Sequence, residues 1–435
     1  MTELPHGWGS EPLSALADRG GLFRDGDWVE TKDQDPAGST RLTQLADIGT
    51  GSFRDRSDRW MRPDQVARLN CTLLEPDDVL IARMPDPIGR ACVVPLHLGA
   101  AVTAVDVSIL RIRRPDVHPP YVMWALNSPS RNDAMAVLQS GTTRKRISRK
   151  NLGTIRVPVP PIYEQRRIVE ILEDHLSRLD AADAYLDASS RRLGSLRRGW
   201  LAAHLVPPPG ADVRRLNDVL VDSRGGWSRG KRHEDARGRP YLKMNNITGD
   251  GRLALSSVVR MLGSEDEYAR YSLRTGDVLF NSKNSGDLVG KTAVATRELE
   301  GWTFNENIMR IRFADCLLPE FAGIWFQGPM FRTQVRSATS ASTNVAAVYL
   351  ASLREMSIWV PPTDVQVRLA REYDALDQGR YRLALALTSG HSHGDQLRRA
   401  LLHAAFTGRL TGRDRGADVL VELEDFAAVA QLSQG

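Results

Sequence analysis

At 435 residues the chain is long enough for two or three domains, and 42% hydrophobic with 26% charged content is the composition of a chain that buries real cores. Cys71, Cys92 and Cys316 stand in no CxxC spacing, which argues against a disulfide framework or a structural zinc site and for a reducing compartment. The start MTELPHGWGSEPL lacks a basic region followed by an apolar core, and no apolar run approaches the ~20 residues of a membrane span, so a soluble cytoplasmic protein without a membrane partner is predicted.

A net charge of +5 hints only mildly at a polyanionic partner, and its distribution says more. Ser140 to Lys150 (SGTTRKRISRK) carries five basic residues and no acid, and Arg224 to Arg239 is also predominantly basic. From Leu13 to about Arg156 the pattern is β-rich. Asp78 to Ala82, Ala91 to Val94 and Val105 to Ile112 read as strands between Pro and Gly punctuation, and Tyr121 to Asn127 as a short helix.

From Tyr163 to about Val206 a mostly apolar seam with heptad spacing runs through Ile168, Leu172, Leu179, Leu186, Leu193, Leu196 and Trp200, which predicts a long helix in need of a partner. A second seam lies 201 residues on, through Leu369, Tyr373, Leu376, Leu383, Leu387, Leu397 and Leu401. Pro160-Pro161 returns as Pro361-Pro362, and Gln165 as Gln366. At an offset of 199, Asp78-Val79-Leu80 aligns with Asp277-Val278-Leu279, and Ile109 to Arg113 with Ile308 to Arg312. The chain is therefore a duplication of a β-rich domain, a proline-marked exit and a long helix. The prolines end the domain because they continue neither a helix nor a central strand. The predicted boundaries are 1–156 and 157–208 for the first domain and helix, 209–357 and 358–412 for the second pair, and 413–435 for a tail. In the second helix Thr388 to Gly394 (TSGHSHG) puts two glycines on the seam, each costing about 1 kcal/mol against alanine, so a kink, break or unwinding is expected there.

Three stretches imitate other chemistry. Asp47 to Ser52 (DIGTGS) looks like a methyltransferase loop for S-adenosylmethionine, but polar residues without helical period follow it. Gly286 to Thr292 (GDLVGKT) is one residue short of a phosphate-binding P-loop. His391 and His393 have no carboxylate or thiolate at ligand spacing, so no metal site is predicted, and no catalytic set is found.

The two proline-marked helix starts, VPVPPIYEQRRIVEIL and WVPPTDVQVRLA, and the helix endings LRRGWLAAHL and LRRALLHAAFTGRL resemble the specificity subunit of type I restriction–modification systems. Val365 departs from the pattern, standing where the first copy has Glu164. The resemblance implies an α+β fold: two pseudo-twofold-related mixed α/β target recognition domains, each followed by a long helix, the helices packed as an antiparallel coiled coil. It implies that each domain reads one half of a split double-stranded DNA target. The helices then act as a spacer, since about 40 residues at 1.5 Å each give ~60 Å, and two readers on one duplex face need separation near ~34 Å or a multiple. It further implies two methyltransferase subunits as partners, carrying S-adenosylmethionine and the adenine methylation chemistry, and motor and nuclease subunits for cleavage. The chain itself would be non-catalytic and hold no cofactor. A standalone methyltransferase or NTPase, and a coiled-coil adaptor without a DNA role, are the alternatives.

The chemistry of base and phosphate contact selects Thr143, Arg144, Lys145 and Arg146 in the first domain. In the second it selects Lys243, Asn245, Asn246, Asn281, Lys283, Asn284, Thr343 and Asn344, with Arg83 and Lys291 added on weaker grounds. Arg and Lys reach guanine or phosphate, and Asn bonds adenine bidentately.

Overall fold

The computed structural model describes residues 4–85, 87–142, 144–341 and 346–411. They group into two compact units, one built from residues up to Asp187 together with those from Thr388 onward, the other from Ala188–Leu387. This grouping cuts across the order of the sequence, because each long helix gives one half to each unit.

In the first unit a four-stranded antiparallel sheet runs in the order Leu22–Asp25, Val107–Arg111, Val79–Ala82, Ala91–Val93. Of its two inner strands, Val79–Ala82 is apolar at every position because both faces are covered. Val79 and Ile81 join the main core, while Leu80 and Ala82 join a second cluster with Ile48 and Ile109. A three-stranded sheet orders Trp60–Met61, Thr40–Thr43 and Ala101–Thr103, and Gly9–Pro12 pairs antiparallel with Arg156–Val159. The helix Pro119–Leu126 begins on prolines, whose fixed φ suits a first helical turn.

The second unit repeats each of these sheets. Its four strands run Leu220–Gly225, Ile308–Phe313, Val278–Asn281, Thr292–Val294, and its three-stranded sheet runs Val259–Met261, Glu234–Leu242, Thr303–Phe304. Val213–Arg215 pairs with Ser357–Trp359. Val278 and Phe280 face one cluster and Leu279 the other, the same alternation as in the first unit. The α+β fold class is as expected.

The first long helix spans Ile162–His204 and the second Thr363–Phe406. In the first unit they run antiparallel: Arg398 reaches Asp180 at 2.7 Å, and His391 lies 3.3 Å from Asp183 and 3.4 Å from Asp187. In the second unit the Trp200 ring tilts against Tyr373 at 5.2 Å, and Arg197 donates to the Tyr373 hydroxyl at 2.9 Å.

The break expected at Thr388 to Gly394 is absent, and the helix is continuous there. At Gly390 an added Cβ would lie 3.2 Å from a Leu186 methyl, so the glycine serves close helix–helix approach. Seam residues also diverge in burial. Ile168, Leu172, Leu179, Leu369, Tyr373, Leu397 and Leu401 are buried, whereas Leu186, Leu193, Trp200, Leu376 and Leu387 are half-buried. Leu196 and Leu383 are 54% and 55% exposed. A straight helix drifts about 20° per heptad from a 3.5-residue repeat, so after four heptads burial passes to Leu201 and Leu205.

Each helix start is locked to its domain by a buried glutamine. Gln165 accepts from the His118 amide at 2.8 Å and donates to the carbonyls of Asp116 at 2.9 Å and Pro160 at 2.8 Å. Gln366 accepts from the Leu318 amide at 2.8 Å and donates to Cys316 at 2.9 Å and Pro361 at 2.7 Å. Glu164 links Trp8 and Thr411 in the first unit, while Val365 at the matching position packs on the apolar core. Replacing either glutamine by alanine strands three backbone groups, each unmet group costing about 1–3 kcal/mol. Gln165→Ala and Gln366→Ala are each expected to lower stability by about 3 kcal/mol in urea unfolding of the full chain; a loss below about 0.5 kcal/mol would remove the locking role.

Candidate nucleic-acid interface

Arg83 follows the central strand of the first unit, and its guanidinium is committed inward. It donates to the carbonyls of Ile147 at 3.1 Å and Val105 at 3.2 Å and pairs with Asp25 at 2.8 Å. The loop beyond is closed at its base by reciprocal Ser140–Arg146 backbone bonds of 2.9 Å, and Arg146 pairs with Asp106. Gly141 takes φ +98, and a Cβ there would lie 2.5 Å from the Arg144 carbonyl, so the tight turn requires glycine. Arg144 and Lys145 are exposed on this loop, and Thr143 lies outside the described residues.

In the second unit the matching loop joins Ser340–Ala341 to Ala346–Ala347, and Lys283–Asn284 adds a strand beside Ala346–Ala347. Thr343 and Asn344 fall outside the described residues. Lys283 is exposed on that strand. Asn281 is fully buried: its amide donates to the Lys283 carbonyl at 3.3 Å and the Asn307 carbonyl at 3.1 Å, and its oxygen accepts from Asn284 at 2.8 Å. Asn284 in turn accepts from the Ser285 amide at 2.9 Å. These two asparagines build the turn that presents Lys283.

Asn246 is buried as well, accepting from the Lys243 amide at 2.8 Å and donating to the carbonyls of Ala254 at 2.8 Å and Ser257 at 3.1 Å. Lys243 pairs with Glu234 at 3.0 Å. Lys291 donates to the Met244 carbonyl at 2.8 Å, and burial lowers its pKa from the ordinary lysine value. Asn245 is exposed. Of the described candidates, the geometry leaves Arg144 and Lys145 outward in the first unit and Asn245 and Lys283 outward in the second. Arg83, Asn246, Asn281, Asn284 and Lys291 do structural work, and ion pairs hold Arg146 and Lys243.

In the basic run from Arg224 to Arg239, Arg229, Arg237 and Arg239 form ion pairs within the fold. Arg229 pairs with Glu267 and lies 4.4 Å over the Trp227 ring, and Arg239 pairs with Glu265 at 3.0 Å and lies 4.3 Å over Tyr268. The repeat partner of Trp227 is Trp28, which is 70% exposed. Sequence reasoning missed this outward aromatic, and its only signal was a tryptophan in the polar setting GDWVE.

The three imitations of other chemistry fold as turns or surface pairs. The Asp47 carboxylate of DIGTGS accepts from the amides of Gln44, Arg56 and Ser57, each at 2.7 Å, and Ile48 bridges to Phe53 across the turn. GDLVGKT passes from a 3-10 turn, Gly286–Leu288, into the strand Thr292–Val294, without the helix a P-loop opens. His391 faces the Asp183 and Asp187 carboxylates across the helix pair.

A family model described as type I restriction modification DNA specificity domain matches residues 123–183, the end of the first domain and the start of its long helix. The specificity subunit of the type I restriction enzyme EcoKI from Escherichia coli K12 is 21% identical, with 98% of this chain and 94% of that protein covered. The StySPI specificity subunit of Salmonella potsdam is 22% identical, covering 95% and 91%. Over nearly its whole length the chain is similar to type I restriction–modification specificity subunits.

Solved structures carry the same fold. The HsdS subunit from Thermoanaerobacter tengcongensis aligns with TM-score 0.53 at 20% identity, covering 94% of this chain and 98% of that one. A chain from a study of complex assembly and conformational transition in the type I system aligns with TM-score 0.72 at 19% identity, covering 94% and 100%. Among the described residues no group of three or more His, Cys, Asp or Glu is placed to hold a metal ion, and no helix is long and apolar enough to cross a membrane.

The division between inward and outward candidates is open to direct measurement. Arg83→Met and Asn281→Ala are each expected to cost about 2–3 kcal/mol, since both leave buried polar groups unmet. Lys145→Ala and Lys283→Ala should stay within about 0.5 kcal/mol. Chemical unfolding of the full chain checks this, and equal losses for all four variants would contradict it.

Proposed function

We propose that the chain is the DNA-reading, non-catalytic subunit of a methyltransferase and endonuclease assembly, in which each unit reads one half of a bipartite double-stranded target. The observation that carries the reading is the same sheet topology recurring in both units. Like folds present like loops, and each unit offers exposed cations at this loop region, Arg144 and Lys145 on the loop of the first unit and Lys283 on the strand beside the loop of the second. In this reading two methyltransferase subunits bind the duplicated helix–domain junctions and bring S-adenosylmethionine and the adenine chemistry. Motor and nuclease subunits add cleavage, and the assembly works in the cytoplasm. The long helices set the gap between the half-targets.

Mapping N6-methyladenine in the source genome tests the reading. A split motif should lose its methylation when this gene alone is deleted, and unchanged methylation in an active system would overturn the proposal. Arg144→Ala with Lys145→Ala should weaken duplex binding by the methyltransferase complex and reduce the log–log salt slope by about 2, as expected for two lost phosphate contacts. One heptad inserted into each long helix adds ~10 Å, so the methylated half-targets should move apart by about 3 base pairs. An unmoved gap would exclude the spacer role.

A further inference from the structure

Among the described residues the exposed tryptophans and tyrosines are Trp28, Tyr163, Tyr349 and Tyr381. Tyr163 and Tyr381 stand on the long helices. Trp28 and Tyr349 stand in the two β-rich domains, one in each, and are 70% and 59% exposed. A single exposed apolar residue is ordinary, so its place on the fold and its neighbours decide whether it has a role. For these two rings the place is the same edge of a repeated sheet.

In the first unit Leu22–Asp25 ends opposite Ser108 and Val79–Ala82 ends opposite Val107, so Gly26, Arg83 and Asp106 all leave the sheet at one edge. Asp25 pairs with Arg83 at 2.8 Å, Arg83 donates to the Ile147 carbonyl at 3.1 Å, and Arg146 pairs with Asp106. These contacts tie the strand that leads to Trp28 to the base of the loop bearing the exposed Arg144 and Lys145. The backbone before the ring is held: the Asp27 amide donates to the Thr103 carbonyl at 2.8 Å, and the Asp27 carboxylate accepts from the Thr72 amide at 2.7 Å. Acidic neighbours in the sequence have partners of their own. Glu30 pairs with Lys32 at 2.6 Å and meets the indole N–H only at 3.5 Å, Asp33 pairs with Arg68 at 2.6 Å, and burial raises the pKa of Asp27.

In the second unit Val278–Asn281 ends opposite Ile308, and the chain passes through Ser282 into the strand Lys283–Asn284. Lys283 stands opposite Ala347, and the Val348 amide donates to the Ser282 carbonyl at 2.9 Å. Tyr349 follows directly, two residues beyond the partner of the exposed Lys283. The matching bond of the first unit runs from the Ile147 amide to the Arg83 carbonyl at 3.0 Å, and Ser148 follows it. Trp28 and Tyr349 are therefore not copies of one another: each domain brings its own aromatic to the edge where its exposed cations stand. Cations there suit phosphate and fix the register on a duplex, while an apolar ring beside them suits a thymine methyl or a base edge.

We propose that Trp28 and Tyr349 are base-contacting residues, each reading a base pair of its own half-target through apolar contact. The inference rests on the DNA-reading role. Duplex binding by the methyltransferase complex tests it, with duplexes carrying the motif mapped from the source genome and duplexes changed one base pair at a time. Trp28→Ala should bind the motif about tenfold more weakly and lose discrimination at a base pair in one half, and Tyr349→Ala should do the same in the other half. The log–log salt slope should stay as in the wild type, because neither side chain carries charge, and the melting temperature should not change. Trp28→Phe and Tyr349→Phe, which keep a ring, should retain the affinity. Unchanged motif affinity and discrimination in either alanine variant overturns the proposal. So does a loss that follows weakened assembly with the methyltransferase, which would assign the ring to a protein contact. A wild-type complex that prefers no motif overturns the DNA-reading role itself, and this proposal with it.

Discussion

Each central sheet has an apolar face that its own stretch of chain does not close, and the rest of the structure depends on how that face is covered. In the first unit Leu13, Val79, Leu110 and Tyr121 share a core with Leu172 and Leu179 of one long helix and with Leu401 and Phe406 near the far end of the chain. In the second, Phe280, Ile311 and Trp325 share theirs with Leu201, Leu205, Leu369 and Tyr373. Burying a leucine contributes about 2 kcal/mol, so these helix residues are a large part of what holds each unit together. Both helices are thereby required for both units.

The duplication is strictest where the backbone has to be satisfied. Gln165 and Gln366 make the same three bonds at the two helix starts. Arg111 clasps Asp78 at 2.8 Å, and Arg312 clasps Asp277, both joining adjacent strands of the central sheet. Divergence is concentrated on the outer surface. Trp28 is open to solvent where Trp227 stacks under Tyr271 at 5.9 Å. A scaffold repeated inside with unlike surfaces outside is what two readers of different half-targets need.

Much of this organisation was legible in the sequence, because strand alternation, proline-marked exits and a common offset are local or self-comparing signals. Asp78 to Ala82 and its copy could be placed on a buried strand from their run of apolar residues. The choice among polar residues was not legible. Asn246 and Asn281 were selected as adenine readers by the same donor and acceptor pair that fits them to cap turns, and burial decides between the two uses. The helix seam was readable near its start but not at Leu196 or Leu383, since heptad counting ignores the drift of a straight helix. Glycine propensity predicted a break at Gly390, but the Leu186 side chain packed beside it, known only from the fold, gives the small residue a packing role.

The central claim is that the two units read separate halves of one target. Exchanging residues 1–156 for the matching part of a relative with a different target, and then mapping N6-methyladenine in cells that also express the methyltransferase, tests it most directly. The account predicts that one half of the methylated motif changes while the other half and the gap stay as they were. A motif changed in both halves, or unchanged in both, would contradict it.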